Sequence, residues 1–291
     1  MIEKCLFSRK ENIYTERHLF TAIHDVLRFV TVHLPTTFST TDAMAQSNGV
    51  IKTFEIPTDG KGATISVRIV EPAGINSDNL SLATWASSLV LAGILHTLGL
   101  EKCLQSKTSL SPLPILELGA GTGLVGVTAA ALLGSPAAHL TDLEGTVPGV
   151  AANIAVNEKL LVERCGPAAV RAGVLDWWKP ERITYLDGME PAEISSGTKA
   201  RILLAADTVY DEEHPQLLER VAQEWLEKSP LARFVMCYPM RIAYLDHIRE
   251  LWERFEVAGL EAEIEGRQTG EATNGDDELL CEYVVWKWKD L

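Results

Sequence analysis

In this chain of 291 residues, the types and spacing that could do chemistry first meet between residues 115 and 126, which read ILELGAGTGLVG. A run that suits a buried strand is followed by Gly119, Gly121 and Gly123, then by an apolar stretch. Missing side chains at such a turn permit tight backbone angles and let the main chain touch a ligand. Gly121, Gly123 and Gly126 also spell the G-x-G-x-x-G of dinucleotide sites, a weak match by itself. Glu117, two residues before the first glycine, would repel a pyrophosphate but could accept a hydrogen bond from a ligand ammonium group. Asp142 ends the next apolar run, where a carboxylate can accept both hydroxyls of a ribose. That feature suits NAD and S-adenosylmethionine alike.

The elements that must position these residues follow from periodicity. From about Pro114 the segments PILEL, AAHLTD, AVRAGVLD, RILLAAD and RFVMCY recur about every 25 to 35 residues, room for one crossover helix between neighbours. Between them, VPGVAANIAVN carries a moderate helical signal. HPQLLERVAQEWLEK sets Leu217, Leu218, Val221 and Trp225 on one face, and RIAYLDHIRELWERFEVAG does the same with Ile242, Leu245, Ile248, Leu251, Trp252 and Phe255 before Gly259. Alternating strands and helices predict an α/β, doubly wound, mostly parallel sheet covered on both faces. At the end, EAEIEG and CEYVVWKWK read as a hairpin adding an antiparallel strand. Before Pro114, HLFTAIHDVLRFV reads as a helix, and VIKTFEIP with ATISVRIVE as two strands around Asp59-Gly60-Lys61-Gly62. The chain thus divides into an extension over residues 1–80 and a ligand-binding domain over 81–291.

Bulk properties narrow the setting. With 46% apolar and 23% charged residues the chain can bury one large core. Cys5, Cys103, Cys165, Cys237 and Cys281 are scattered and odd in number, and neither they nor the histidines have metal-ligand spacing. Neither a disulfide framework nor a metal site is expected. The apolar stretches Leu89 to Leu95 and Val125 to Ala138 are too short or interrupted to span a bilayer, and the charged start lacks the apolar core of a signal peptide. A cytosolic or nuclear location without membrane contact is expected. The net charge of −14 repels phosphate backbones and would attract a basic partner. As plain packing residues, Trp225, Trp252, Trp286 and Trp288 fit their helical or strand periodicity, and Asp276-Asp277-Glu278 reads as a solvated loop.

The E-L-G-A-G-T-G turn resembles motif I of the seven-strand, class I S-adenosylmethionine-dependent methyltransferases. Three further segments resemble its family 16 branch, the protein-lysine methyltransferases. Thr84-Trp85 with ASSLVLAGIL looks like the branch's tryptophan-led helix, whose ring lies near the cofactor. Leu175-Asp176-Trp177 is similar to its third-strand motif, in which the acid accepts from the adenine amino group and the aromatic packs on the base. Ala205-Ala206-Asp207-Thr208-Val209-Tyr210 resembles its D-x-x-Y signature, which lines the target lysine. Ala86 and Thr208-Val209 depart from the usual residues beside these motifs.

The resemblance covers residues 50 to 290 and implies a Rossmann-like sheet of seven strands with S-adenosylmethionine as cofactor. Carried over residue by residue, it implies a cofactor site of Trp85, Glu117, Gly119, Ala120, Gly121, Asp142, Leu143, Asp176, Trp177, Ala205 and Ala206. Asp207 and Tyr210 would be catalytic, Asp207 orienting the amine. The Tyr-Asp-Glu-Glu-His-Pro run after Val209 looks most like fungal enzymes that methylate translation elongation factors. The implied partner is a protein with a target lysine, met by a monomer, with no direct nucleic-acid contact. A small-molecule N- or O-methyltransferase and a non-catalytic cofactor-binding subunit are the competing readings. An NAD oxidoreductase loses ground because the one Tyr-x-x-x-Lys after the glycine turn, Tyr283 to Lys287, falls in the run read as a C-terminal strand.

Overall fold

The computed structural model describes residues 49–74, 79–105, 113–194, 198–271 and 279–291. The helix expected at HLFTAIHDVLRFV and the Asp276-Asp277-Glu278 loop lie outside these residues. The described residues begin with β1 (Gly49–Pro57) and β2 (Thr64–Pro72), an antiparallel hairpin. The main sheet comprises β3 (Leu113–Leu118), β4 (Ala138–Asp142), β5 (Val170–Val174), β6 (Arg182–Tyr185), β7 (Ala192–Glu193), β8 (Ala200–Ala206), β9 (Arg233–Pro239), β10 (Leu260–Thr269) and β11 (Leu280–Trp288). Their order is β10-β11-β9-β8-β3-β4-β5-β6-β7.

The strands β5-β4-β3-β8-β9 are parallel, and β11 and β10 continue the sheet antiparallel, which makes up the seven strands expected. The sheet then extends past β5 by two short antiparallel strands, β6 and β7, which the sequence reading lacked. Strands of four and two residues are too brief to show a period of two. The chain order reverses between β3 and β8, so their carboxyl ends flank the crevice where a doubly wound sheet binds its ligand.

Both faces are covered, as strands this apolar require. Ile115, Ile202, Leu204 and Val235 pack against α1 (Ala86–Ile94), α2 (Leu124–Leu133), α3 (Val147–Val156) and α4 (Glu158–Cys165). Leu116, Leu118, Leu203 and Phe234 pack against α5 (His214–Trp225) and α6 (Leu245–Val257). Trp225, Trp286 and Trp288 are buried on this second face, and Trp252 packs partly buried beside them. Leu80–Thr97 has the length and mean hydropathy, 1.4, of a membrane span. It is folded into a 3-10 turn, α1 and a second 3-10 turn, with half of it buried in the core.

The hairpin shares the first core: Ile56, Ile65, Val67 and Ile69 point inward with the residues of α1 and α2. Its β2 edge is closed by two asparagines one turn apart in sequence. Asn153 Oδ1 accepts from Val70 N at 2.7 Å and Asn157 Oδ1 from Arg68 N at 2.9 Å. The Asn157 amide donates back to Arg68 O at 2.6 Å and that of Asn153 to Val70 O at 3.4 Å. Side-chain amides thus supply the pairing that a third strand would give.

Candidate active site at the switch point

The glycine turn joins β3 to α2, with Ala120 N donating to Thr141 O of β4 at 2.9 Å. Gly119 stands at φ +60°, and a Cβ there would meet Thr208 Cγ2 at 3.1 Å and the Trp177 ring at 3.4 Å. A side chain at Gly119 would be both strained and crowded. A Cβ on Gly126, in the first turn of α2, would fall onto Glu117 Oε2 and the Leu140 side chain. Glycine at 126 therefore leaves the volume that Glu117 fills.

Glu117 is 2% exposed, beneath this turn rather than out at the strand tip. Burial pushes its carboxyl well above the usual carboxylate range, the Gly126 N–H pulls it back, and the charge of Asp142 adds to the rise. Its Oε2 is buried with no hydrogen-bond partner among the described residues. An oxygen so placed fits a ligand ammonium, which would supply both a donor and the missing charge. A carboxyl raised in the folded state stabilises fully below its unfolded pKa, near 4.3, and loses that contribution as pH rises through the folded value. Glu117→Gln is therefore expected to raise the unliganded melting temperature at pH 7.5 by roughly 2–4 °C, the shift that 1 kcal/mol gives in a chain of this size. The gain should vanish in melts near pH 4; an equal gain at both pH values would mean that the carboxylate charge is not what costs stability.

Asp142 ends β4, and Asp176 lies two residues past the end of the adjacent β5. Leu175 N donates to Asp142 O at 3.0 Å, so Asp176 begins one residue beyond that bond. Asp142 Oδ2 accepts from Gly121 N at 2.8 Å and Oδ1 from Leu143 N at 2.7 Å. Burial raises its carboxyl, opposed by those two N–H groups. With the Thr146 hydroxyl also bonded to it, the carboxylate's four acceptor positions leave room for a ligand hydroxyl. Asp176 is half-buried, and its Oδ1 accepts from Trp178 N at 2.9 Å. Trp177 turns inward over Gly119, 5.6 Å from the His214 ring, whereas Trp178 is 56% exposed.

At the end of β8, Asp207 adopts φ +56°, a left-handed conformation that costs energy in any residue with a Cβ. Its N–H donates to Cys237 O of β9 at 2.9 Å. Arg241, just past β9, donates to Asp207 Oδ1 at 2.7 Å and to Oδ2 at 3.1 Å. The same guanidinium lies 5.7 Å from the centre of the Trp85 ring, at the start of α1. Tyr210 stands at the rim, 56% exposed, with its ring edge-on to His214 at 4.4 Å. Burial raises the Tyr210 hydroxyl, and the charges of Asp142, Asp207 and Asp211 add to it. Burial lowers the His214 imidazole, against the opposing pull of Asp211.

The remaining expected residues divide. Ala120 is buried in the turn, Leu143 is an exposed apolar side chain beside Asp142, and Ala206 is half-buried at its strand end. Ala205 pairs with Leu118 and buries its side chain in the second core. Residues not expected as part of the site complete it. Thr84 N donates to Glu71 Oε1 at 3.0 Å, and the Thr84 and Thr122 hydroxyls lie 3.3 Å apart. Asn153 Nδ2 donates to Thr122 O at 3.0 Å, tying the glycine turn to α3 and the hairpin. Arg241 had no local signal, because its partners lie 34 and 156 residues away.

The crevice fits S-adenosylmethionine through three of its own features: the buried free oxygen of Glu117, the bare cradle at Gly119 under Trp177, and the two acids at neighbouring strand ends. Residues 69–252 match a family model described as lysine methyltransferase. The chain is similar to protein-lysine N-methyltransferase rrg1 of Schizosaccharomyces pombe, 28% identical over 225 residues, 77% of this chain and 67% of that protein. It is also similar to protein-lysine N-methyltransferase EFM2 of Saccharomyces cerevisiae, 27% identical over 208 residues, 67% of this chain but 44% of that protein. A match across well over half of the chain, including every strand of the parallel core, decides its kinship. The chain belongs to the lysine methyltransferase family, whose methyl donor is S-adenosylmethionine.

Proposed function

We propose that this chain methylates a lysine side chain of a basic partner protein, a translation elongation factor, and that it acts as a monomer in the cytosol. The observation that carries the lysine reading is the strained Asp207, three residues before Tyr210 and held by the Arg241 guanidinium that lies beside Trp85. The net charge of −14 favours encounter with a basic surface. The Tyr210-Asp211-Glu212-Glu213-His214-Pro215 run supports the elongation-factor reading through its likeness to fungal enzymes of that specificity.

Glu117 would hold the amino group of the donor, Asp142 its ribose, and Asp176 with Trp177 its adenine. Bound there, S-adenosylmethionine supplies an electrophilic methyl group on a sulfonium. A lysine amine attacks only when neutral, and with an ordinary pKa near 10.4 roughly one part in a thousand is neutral at pH 7.4. The rings of Tyr210 and His214, with Trp85 beside the Arg241 guanidinium, would shed water from the amine and so favour its neutral form. Asp207 would orient the amine by accepting an N–H, holding its lone pair in line for transfer.

A tritiated methyl donor incubated with cell extract and the purified chain is expected to label one or a few protein bands, elongation factors among them. Asp207→Ala should abolish that label while S-adenosylhomocysteine still binds in calorimetry. Labelling of metabolites without any protein band would instead favour a small-molecule acceptor.

A further inference from the structure

The fork between Arg241 and Asp207 bears on a difficulty in the chemistry. A bare carboxylate beside the target amine would favour the ammonium form, which cannot attack. Here the carboxylate is 8% exposed and both its oxygens are engaged by one guanidinium, itself 19% exposed and lying beside the Trp85 ring. A planar two-armed donor matches a carboxylate in a way that a lysine cannot. Among the described residues, other titratable groups around the pair include Tyr210, Asp211 and His214 after β8, Tyr244 and His247 at the start of α6, Cys237 behind it on β9, and Asp142 across the crevice. Burial lowers the His214 imidazole and so disfavours its cationic form.

We propose that Arg241 is a positioning residue for methyl transfer: it pins the left-handed Asp207 and cancels its charge, so the target amine meets a hydrogen-bond acceptor rather than an unbalanced anion. The inference rests on the lysine methylation reading above. In the free carboxylate, the negative charge would raise the amine's pKa; with Arg241 in place it does not. The amine gives its proton to solvent before it attacks, and Asp207 need not take it up.

The test compares wild type, Arg241→Gln, Arg241→Lys, Asp207→Asn and the double variant Arg241→Gln/Asp207→Asn. Initial rates of tritiated methyl incorporation into the band labelled by wild type are followed from pH 6.5 to 9.5, and S-adenosylhomocysteine affinity by calorimetry. Arg241→Gln should bind S-adenosylhomocysteine within about threefold of wild type, and its pH for half-maximal rate should move up by about one unit or more. Its rate should be at least about tenfold low at pH 7.4 and recover towards pH 9.5. Asp207→Asn, slower but measurable, should move the half-maximal pH down, and the double variant should return it towards the wild-type position. Arg241→Lys should lose rate with little movement of the profile.

A uniform loss in Arg241→Gln, with the profile unmoved, would make Arg241 a purely structural support and overturn the proposal. If Arg241→Gln does not fold, as shown by lost S-adenosylhomocysteine binding, an unmoved profile in Asp207→Asn overturns it equally. Failure of the wild type to label any protein would remove the lysine reading itself and this inference with it, a result distinct from a labelled band with an unchanged profile.

Discussion

Gly119→Ala is expected to weaken S-adenosylhomocysteine binding by roughly 10- to 100-fold while the protein remains folded. The backbone at φ +60° costs an alanine about 1–2 kcal/mol that glycine does not incur. The added methyl group also presses on Thr208 Cγ2 and on the Trp177 ring, both walls of the crevice. A displaced Trp177 no longer lies over the turn, so the loss should fall on ligand affinity more than on the melting temperature. Every 1.4 kcal/mol is a factor of ten in affinity, which sets the range. Calorimetry with S-adenosylhomocysteine measures it, and affinity within twofold of wild type would show that Gly119 does not shape the site.

The second large effect is expected far from the chemistry. Asn153 is 2% exposed and serves Val70 N, Val70 O and Thr122 O at once. Asn153→Ala leaves the part-buried Val70 N–H and the buried Thr122 carbonyl of the glycine turn without their partners. An unsatisfied buried group costs about 1–3 kcal/mol, so a loss near 3 kcal/mol is expected, or roughly 6–12 °C in melting temperature. Asn153→Asp keeps the acceptor for Val70 N but not the donor to Thr122 O, and its burial adds a charge, so it should not rescue stability. Urea denaturation gives the free energies, and S-adenosylhomocysteine affinity should fall alongside because the turn loses its tether. Loss of stability below 1 kcal/mol would mean that the hairpin stays in place by its apolar face alone.

Both substitutions act on the same construction. The crevice is built where β3 and β8 diverge, yet its floor is held by elements that precede and follow it: the hairpin through Asn153, α1 through Thr84, and β9 through Asp207 N. Glu71, which holds Thr84 N, is itself buried and paired with Lys52 of β1 at 2.6 Å. The N-terminal hairpin therefore works as a buttress of the ligand site, and its inner residues lie in the core that the sequence division at residue 80 would have cut.

Local signals carried the parts of this protein that depend on neighbours in the chain. Period and turn chemistry located the parallel strands, α5 and α6, and the C-terminal hairpin, because burying one face of a regular element imposes a repeat that can be read over a dozen residues. Glycines 119, 121 and 123, all with positive φ, and the acids Asp142 and Asp176 were legible for a similar reason: each sits at or just past the end of a strand whose limits the sequence marks. Trp177 over Trp178 was expected from the family likeness alone; in the structure Trp177 turns inward over Gly119 and Trp178 is exposed.

What only the tertiary structure decided involves partners distant in sequence. That Glu117 lies buried with a free oxygen, that Arg241 clamps Asp207 beneath Trp85, and that Asn153 and Asn157 finish the edge of β2 leave no periodic trace. Each depends on which side chains converge once the sheet is wound, and a single polar residue in a helix or loop reads the same whether it meets solvent or a buried charge. The sequence determined the frame and the ligand-facing turn; the charge balance around Asp207 was fixed only by folding, which brought an arginine from beyond β9 to an aspartate at the end of β8.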